Sequence, residues 1–259
     1  MVEFRLTVLD EVASTNEEVK RALEAGEPEG LAVRARVQTG GYGRQGRAWA
    51  SPEGGMYQSL ALRPRVSAAQ LPSLSLLVGV AVRRALCSLV PADRADDIKL
   101  KWPNDVLCDA GKLCGISLET HAGGVCVGIG VNVLPPREAL EVGGKNRPAY
   151  VADFAPEALV DAETPEGRHA FLDLVGDAIL EGLAPLYEEW LSAGIAPFLD
   201  EINACESLHG SEVSMVDAAG APLARGRAMR VDEHGCLVLR CDDGSELAVA
   251  SGEAHITRC

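Results

Sequence analysis

The chain has 259 residues and a formal net charge of −14, with 47% hydrophobic and 24% charged residues. This composition is that of an ordinary globular protein, long enough for one large domain or for a large domain with a small one. The negative charge argues against a nucleic-acid partner, because binding to phosphate backbones needs a basic face.

The sequence predicts neither a targeting segment nor a cysteine-based disulfide or zinc site. No segment approaches the roughly 20 apolar residues that cross a bilayer. Glu3, Arg5 and Asp10 fall within the first ten residues, so we expect no signal peptide. The eight cysteines include no Cys-X-X-Cys pair and have no histidine at ligand spacing, which favours reduced thiols over disulfides or a zinc site. These features predict a cytoplasmic protein.

Apolar periodicity and turn residues predict a mixture of strands and helices as far as residue 205. The predicted strands cover 3–10, 31–38, 56–62, 98–102, 112–119 and 124–133. The predicted helices cover 14–25, 68–89 and 164–191, with a further helix ending near 205. Ser14 or Thr15 can cap the first helix, and the long apolar helix at 68–89 is expected to cover one face of the sheet.

The last part of the chain has a different pattern. Short alternating strands are predicted at 212–216, 224–231, 235–240 and 246–250, with turns containing Asp and Gly between them. A stretch of about 50 residues of this kind predicts a small β-barrel, near the lower size for independent folding. We therefore expect a first domain at 1–208 and a second at 209–259, with no catalytic cluster in the second.

A glycine-rich basic loop, Thr39–Trp49, lies between two predicted strands. Its four glycines let backbone N–H groups approach an anion closely, and Arg44 and Arg47 add forked donors that suit phosphate or carboxylate. Glycine-rich loops are also common as plain surface hairpins, so the loop alone leaves these two interpretations balanced.

Further polar residues stand at turns and strand ends. Asn104 and Asp105 follow Pro103 in a segment with the composition of a turn, where a carboxylate could help to hold magnesium. Lys112 follows a hairpin turn, where a lysine is ordinarily solvated. Asn132 stands near the end of a strand that leads towards the same region.

Four segments in order resemble the signatures of the biotin protein ligases. Gly41–Arg47 resembles their Gly-Arg-Gly-Arg-X-Gly-Arg loop, and Lys101–Val106, Lys112–Ile116 and Gly128–Asn132 resemble the three that follow it. The order matches, and the resemblance covers nearly the whole chain. One departure is Tyr42, which stands where an arginine is usual.

The resemblance implies an α+β fold of the class II aminoacyl-tRNA synthetase-like, biotin/lipoate ligase type. A central mixed β-sheet is flanked by helices, and a small SH3-like β-barrel follows. It also implies ATP and biotin as substrates, Mg²⁺ as the metal, and biotinyl-5′-AMP as the intermediate. The acceptor would be a lysine of a biotin carboxyl carrier protein or domain of a biotin-dependent carboxylase.

The same resemblance assigns roles to residues of the matching segments. Lys112 and Arg44 are expected to be catalytic, and Asp105 to contact the metal. Biotin is expected to contact Ser14, Thr15, Asn16, Gln38, Gly41, Tyr42, Gly43, Arg44, Lys112 and Gly115. ATP is expected to contact Arg44, Arg47, Trp49, Lys101, Asn104, Asp105 and Asn132. Residues 150–154 are a weaker candidate for covering the adenine.

The ligase pattern begins within the first predicted strand, so we expect the monofunctional type without an N-terminal DNA-binding domain. Neither DNA nor a membrane is expected as a partner, and a homodimer stays open. Two other functions also stay open. One is a lipoate ligase, against which the glycine-arginine loop and the Lys-Trp-Pro-Asn-Asp segment speak. The other is a biotin-binding repressor or sensor, which a basic N-terminal helical domain would support.

Overall fold

The structure, a computed structural model, describes residues 1–136, 147–154, 164–217 and 219–257. Its larger sheet has seven strands in the order β1-β2-β3-β7-β6-β5-β4. These strands are β1 (Arg5–Val12), β2 (Leu31–Gln38), β3 (Gly55–Leu62), β4 (Lys99–Lys101), β5 (Asp105–Cys108), β6 (Gly111–His121) and β7 (Gly124–Asn132). Only β1 and β2 pair in parallel, and the other neighbours are antiparallel, so the predicted mixed sheet is confirmed.

Helices pack against both faces of this sheet. They are α1 (Thr15–Glu24), α2 (Leu74–Leu89), α3 (Pro165–Ala193) and α4 (Leu199–Cys205). The alternation of β2 separates the two faces, because successive side chains of a strand point to opposite sides. Val33 packs with Val19 and Leu23 of α1, whereas its neighbour Ala32 belongs to the larger core that includes α2 and α3. All eight residues of β3 are buried, as expected for a strand covered on both faces.

The apolar helix differs from its prediction at its start. A regular helix from residue 68 would need Pro72 to donate a backbone hydrogen bond, and proline has no N–H. Leu71–Ser73 instead form a 3₁₀ turn, and α2 begins at Leu74. Our expectation that no segment could span a bilayer is wrong by length and composition, because Leu71–Leu89 meets both criteria. However, 67% of that segment is buried inside the protein, so its apolar character serves the core.

A buried arginine fastens α3 to the larger sheet. Arg34 is 1% exposed and donates hydrogen bonds to Asp173 Oδ1 and Asp177 Oδ1, each at 2.7 Å. Its Nε also donates to Gln58 Oε1 at 2.9 Å. A buried charge is tolerated only when it is paired and hydrogen-bonded in this way.

The second sheet is entirely antiparallel, with the order β11-β10-β9-β8-β12. Its strands are β8 (Glu212–Val216), β9 (Pro222–Val231), β10 (Leu237–Arg240), β11 (Glu246–Val249) and β12 (Glu253–Ile256). This agrees with the predicted SH3-like barrel, while the domain boundary at 208 and 209 stays a prediction. β12 was not predicted from the sequence, and its four residues pair with β8 some 40 positions earlier in the chain.

The segment between α4 and β8 is hydrogen-bonded to the turn that precedes Asn104. Glu206 is 6% exposed, and its carboxylate accepts hydrogen bonds from the backbone N–H groups of Trp102 and Leu208, both at 3.0 Å. Trp102 Nε1 donates to the carbonyl of Gly235, in the turn between β9 and β10 of the second sheet, at 2.9 Å. Burial raises the pKa of Glu206 to about 7, against the opposing effect of these backbone donors. The turn is therefore attached to both the linker and the second sheet.

Candidate functional site

A cavity of about 980 Å³ lies between the glycine-rich loop, one face of the larger sheet and the edge of the second sheet. Every residue with a predicted site role lines it except Ser14. These are Thr15, Asn16, Gln38, Gly41, Tyr42, Gly43, Arg44, Arg47, Trp49, Lys101, Asn104, Asp105, Lys112, Gly115 and Asn132. Tyr150, which we considered for the adenine, also lines the cavity. Asp217 and Gly220, which lie between β8 and β9, and residues 253–255 of β12 add to the wall, and none of them was predicted from the sequence.

The predicted cap of α1 is wrong, because neither Ser14 nor Thr15 supplies the capping acceptor. Ser14 stands at the N-cap position and is buried, but its side chain makes no capping hydrogen bond. Gln38 supplies the acceptor instead, because Thr15 N–H donates to Gln38 Oε1 at 2.8 Å. The hydroxyl of Thr15 donates to the same oxygen at 3.0 Å, so it too is unavailable as a cap. The start of α1 is thus tied to the end of β2.

Neutral polar side chains form a connected network at one end of the cavity, which we call the amide–hydroxyl cluster: Thr15, Asn16, Gln38, Ser51, Ser59 and Ser117. Ser59 is central, with its Oγ 2.7 Å from Thr15 Oγ1 and 2.6 Å from Asn16 Oδ1. Gln38 Nε2 donates to Ser51 Oγ at 2.9 Å, and Asn16 Nδ2 donates to Ser117 Oγ at 3.3 Å. Such mutual bonds fix amide and hydroxyl directions before a ligand arrives.

Three of these residues were missed from the sequence. Ser59 directly precedes an apolar run and Ser117 stands between two apolar residues, and a polar residue in such a place is the signal that could have found them. Ser51 lies in the turn after the glycine-rich loop, where serine is too common to stand out.

Three cations, which we call the cationic cluster, stand at the other end: Arg44, Arg47 and Lys112. Lys112 Nζ donates to Asp105 Oδ1 at 2.7 Å. Arg44 Nη1 donates to Asn104 Oδ1 at 2.9 Å.

Arg47 is the most exposed of the three cations, and it pairs with Glu253 of β12. Burial lowers the pKa of the Arg44 guanidinium, and the charge of Asp105 opposes that effect. An arginine nevertheless stays charged, and partial burial strengthens its attraction to an anion.

The indole of Trp49 covers the part of the cavity between the two clusters. Glycine at 115 and at 130 leaves room for its indole, since a Cβ at those positions would come within 2.9 Å and 2.8 Å of the ring. Its Nε1 is buried and has no hydrogen-bond partner among residues 1–136, 147–154, 164–217 and 219–257. Lys112 Nζ lies 5.2 Å from the centre of the same ring.

Backbone contacts hold the remaining predicted residues in place. Gly43 N–H donates to the Arg47 carbonyl at 2.8 Å, and Trp49 N–H donates to the Gly41 carbonyl at 2.9 Å, so the loop closes on itself. Asn132 Nδ2 donates to the Lys112 carbonyl at 2.8 Å. Lys101 is half-buried in the wall beside these residues.

The donor set does not form a metal cage by itself. No group of three or more His, Cys, Asp or Glu side chains that could hold a metal ion occurs in the described parts of the chain. Asp105 offers one carboxylate facing the cavity. This fits the way in which magnesium is commonly bound, by one or two carboxylates together with substrate phosphates.

Comparisons with known proteins agree with this geometry. Residues 8–134 match the model of the biotin/lipoate A/B protein ligase family. The chain is 35% identical over 219 residues to the biotin–[acetyl-CoA-carboxylase] ligase of Paracoccus denitrificans, which is 76% of this chain and 85% of that protein. It is 38% identical over 245 residues to the bifunctional ligase/repressor BirA of Bacillus spizizenii, covering 91% of this chain and 69% of the relative.

A solved structure shares the whole architecture. The biotin protein ligase from Aquifex aeolicus in complex with biotin and ATP superposes with a TM-score of 0.78 at 28% identity. The match covers 98% of this chain and 99% of the other, so it includes both sheets.

Proposed function

The chain belongs to the biotin/lipoate A/B protein ligase family, and on this premise we propose that it is an ATP-dependent biotin protein ligase. It forms biotinyl-5′-AMP from biotin and ATP, and it then transfers biotin to a specific lysine of a biotin carboxyl carrier protein or domain. The observation that supports this most is one cavity with a neutral hydrogen-bonding cluster at one end and three cations at the other. Such a cavity suits an uncharged ring system joined to a carboxylate that must meet a phosphate.

In the first step the biotin carboxylate attacks the α-phosphate of ATP, and pyrophosphate leaves. Two anions must approach each other, and without compensation they repel. Lys112 is proposed to bind the carboxylate and phosphate oxygens, while Arg44 and Arg47 bind phosphates. These groups stabilise the charge that develops as the new P–O bond forms.

In the second step the lysine amine of the carrier attacks the acyl carbon, and AMP leaves. The glycine-rich loop and Trp49 cover the site and exclude water, which would otherwise hydrolyse the adenylate. The amide–hydroxyl cluster is proposed to hold the ureido end of biotin, with Gln38 and Thr15 facing the ring. Asn104, Asn132 and Lys101 are proposed to contact the nucleotide.

Magnesium is proposed as the metal and Asp105 as the residue that holds it. When bound, the ion would neutralise phosphate charge. Asp105 also holds Lys112, since its Oδ1 accepts the lysine ammonium at 2.7 Å. The same carboxylate can therefore orient the ammonium group.

We further propose that the protein works in the cytoplasm and does not bind DNA. The support is the charge of −14 and the seven free cysteines of the described residues. A homodimer remains an open part of the proposal.

A single assay separates the candidate functions. Labelled biotin or lipoate is supplied with ATP and magnesium, with and without a biotin carboxyl carrier domain. A biotin ligase exchanges pyrophosphate into ATP only with biotin and labels the carrier. Exchange that depends on lipoate would indicate a lipoate ligase, and biotin binding without exchange would indicate a sensor.

A further inference from the structure

Tyr42 departs from the family loop, and the structure shows what its side chain contacts. The hydroxyl of Tyr42 donates to Glu17 Oε1 on α1 at 2.6 Å. Its ring lies 5.3 Å from Lys20 Nζ, one turn further along the same helix. A cation therefore stands beside the loop at this position, but it comes from α1.

Lys20 connects this contact to the larger sheet. Its ammonium lies 2.6 Å from Glu17 Oε1 and 3.2 Å from Glu119 Oε2 on β6, and its side chain is 17% exposed. Glu119 Oε1 in turn accepts from Asn16 Nδ2 of the amide–hydroxyl cluster at 3.1 Å. One chain of contacts thus runs from the loop through α1 and β6 back to the cavity.

This network places the ammonium of Lys20 between the carboxylates of Glu17 and Glu119. Side-chain hydrogen bonds from Lys20 and from Tyr42 hold the pKa of Glu17 below its ordinary value. Burial alone would lower the pKa of Lys20, but its hydrogen bonds with Glu17, Tyr42 and Glu119 outweigh that effect and raise it. Both groups are therefore ionised near neutral pH, and the Tyr42 hydroxyl donates to a full carboxylate, which makes a strong hydrogen bond.

The hydrogen bond between Tyr42 and Glu17 lies where it can hold residues 40–43 of the loop in place. Gly40–Gly43 border two cavities, the one that holds the proposed ligand site and a shallower one of about 780 Å³ that Glu17, Lys20 and Glu119 line. Residues 40–43 are thus a wall between the ligand site and the outside. Across the shallower cavity, Tyr42 is the loop residue whose side chain is bonded to α1.

We propose that Glu17 and Lys20 are positioning residues that act through the Tyr42 hydroxyl to hold residues 40–43 over the ligand site, and that they thereby slow the escape of the acyl-adenylate. This inference rests on the proposed ligase function. Neither residue touches the reacting atoms. Their effect falls on the lifetime of the bound intermediate, because the adenylate must pass the loop to leave.

The test measures the escape of the adenylate separately from its formation. Enzyme variants are loaded with labelled biotin, ATP and magnesium without a carrier, and excess unlabelled biotin is then added. Labelled adenylate that appears in the filtrate gives the escape rate, and pyrophosphate exchange gives the rate of formation. The variants are Tyr42→Phe, Glu17→Gln and the double variant. Glu18→Gln is the matched control, because Glu18 lies on the same turn but pairs with Arg21 at 2.7 Å.

Tyr42→Phe removes the charge-assisted hydrogen bond and should raise the ratio of escape to exchange about tenfold. Glu17→Gln keeps an acceptor oxygen but removes its charge, so it should raise the ratio by a smaller factor. The double variant should resemble Tyr42→Phe, because without the hydroxyl Glu17 has no bond to the loop that could be weakened further. Glu18→Gln should leave both rates unchanged. An unchanged ratio in both single variants, or a double variant in which their effects multiply, would overturn the inference. A wild-type chain without biotin-dependent exchange would instead refute the ligase function itself.

Discussion

The two ends of the cavity are built on different principles. At the amide–hydroxyl cluster, neutral side chains bond to one another, and Thr15, Asn16 and Ser59 are almost fully buried. At the cationic cluster, Arg44 and Arg47 project from a loop, and each cation is bonded to a protein group that competes with a ligand. One end has a fixed shape, whereas the other has charge whose partners can be exchanged.

This difference suggests how one site can bind two unlike substrates. A neutral ring is recognised by directions of donors and acceptors, which must be set in advance. Phosphates carry enough charge to displace a weaker partner such as the Asn104 amide or the partly buried carboxylate of Glu253. The same protein partners keep the cations from repelling one another. Four substitutions test this difference between the two ends of the cavity.

Lys112→Ala tests the cationic end most severely. Losing one preorganised charge at the reacting oxygens typically costs ~3 kcal/mol, about a hundredfold in rate. The variant should fold and keep its affinity for biotin, while biotin-dependent pyrophosphate exchange falls by that factor. Near-normal exchange would remove Lys112 from the mechanism.

Glu206→Gln tests the support of the cationic end, because the Glu206 carboxylate accepts a hydrogen bond from the N–H of Trp102 in the turn before Asn104. The raised pKa means that, between about 4.5 and about 7, the folded state keeps a proton that the unfolded state has released. The stability contributed by this proton is complete below the unfolded pKa and is lost as pH rises through the folded pKa.

We expect the difference in unfolding free energy between the wild type and Glu206→Gln to change with pH. From about pH 5 to about pH 8, the wild type should lose roughly 2–3 kcal/mol of unfolding free energy relative to Glu206→Gln. Urea unfolding at several pH values measures this. A difference that is constant with pH would show that Glu206 is ionised throughout.

Arg44→Ala addresses the loop cation that bonds to Asn104. Removing one charge-assisted contact of ~2–3 kcal/mol should reduce adenylation on the order of a hundredfold. Arg21→Ala is a suitable control, because Arg21 is an exposed arginine on α1 that pairs with Glu18 outside the cavity. Equal exchange by the two variants would contradict a special role for Arg44.

Ser59→Ala addresses the amide–hydroxyl cluster and should have the smallest effect of the four. It removes two short hydrogen bonds inside a buried network, which costs about 1–2 kcal/mol and raises the KM for biotin by roughly tenfold. The KM for ATP should stay the same. If both KM values rise together, the two ends of the cavity do not act separately.

The sequence located most of the cavity but few of its internal bonds. The ordered motifs contain Asn104 and Lys112, whereas Gln38 ends a strand that the alternation of 31–38 predicts. The partners of these residues come from elsewhere in the chain, and their contact depends on how elements pack. Glu253 lies 206 positions from Arg47, and no local pattern links them.

The same reasoning explains the misplaced cap and the unanticipated network of Tyr42. A serine before a helix predicts a local cap, but the end of β2 brings Gln38 close enough to replace it. Lys20 reaches Glu119 only because α1 crosses β6, which no periodicity of α1 can reveal. Element types follow from local pattern, whereas bonds between elements require the assembled sheet.

A crystal structure of the chain with a non-hydrolysable biotinyl-adenylate analogue tests the contrast between the two ends most directly. Our account predicts that Thr15 Oγ1 and Ser59 Oγ stay in contact, near the 2.7 Å of the present structure. Lys112 Nζ should then bond to the analogue, and Arg47 should leave Glu253 for a phosphate oxygen. The account is contradicted if Arg47 keeps Glu253 and Lys112 bonds only to Asp105 while the Thr15–Ser59 contact is broken.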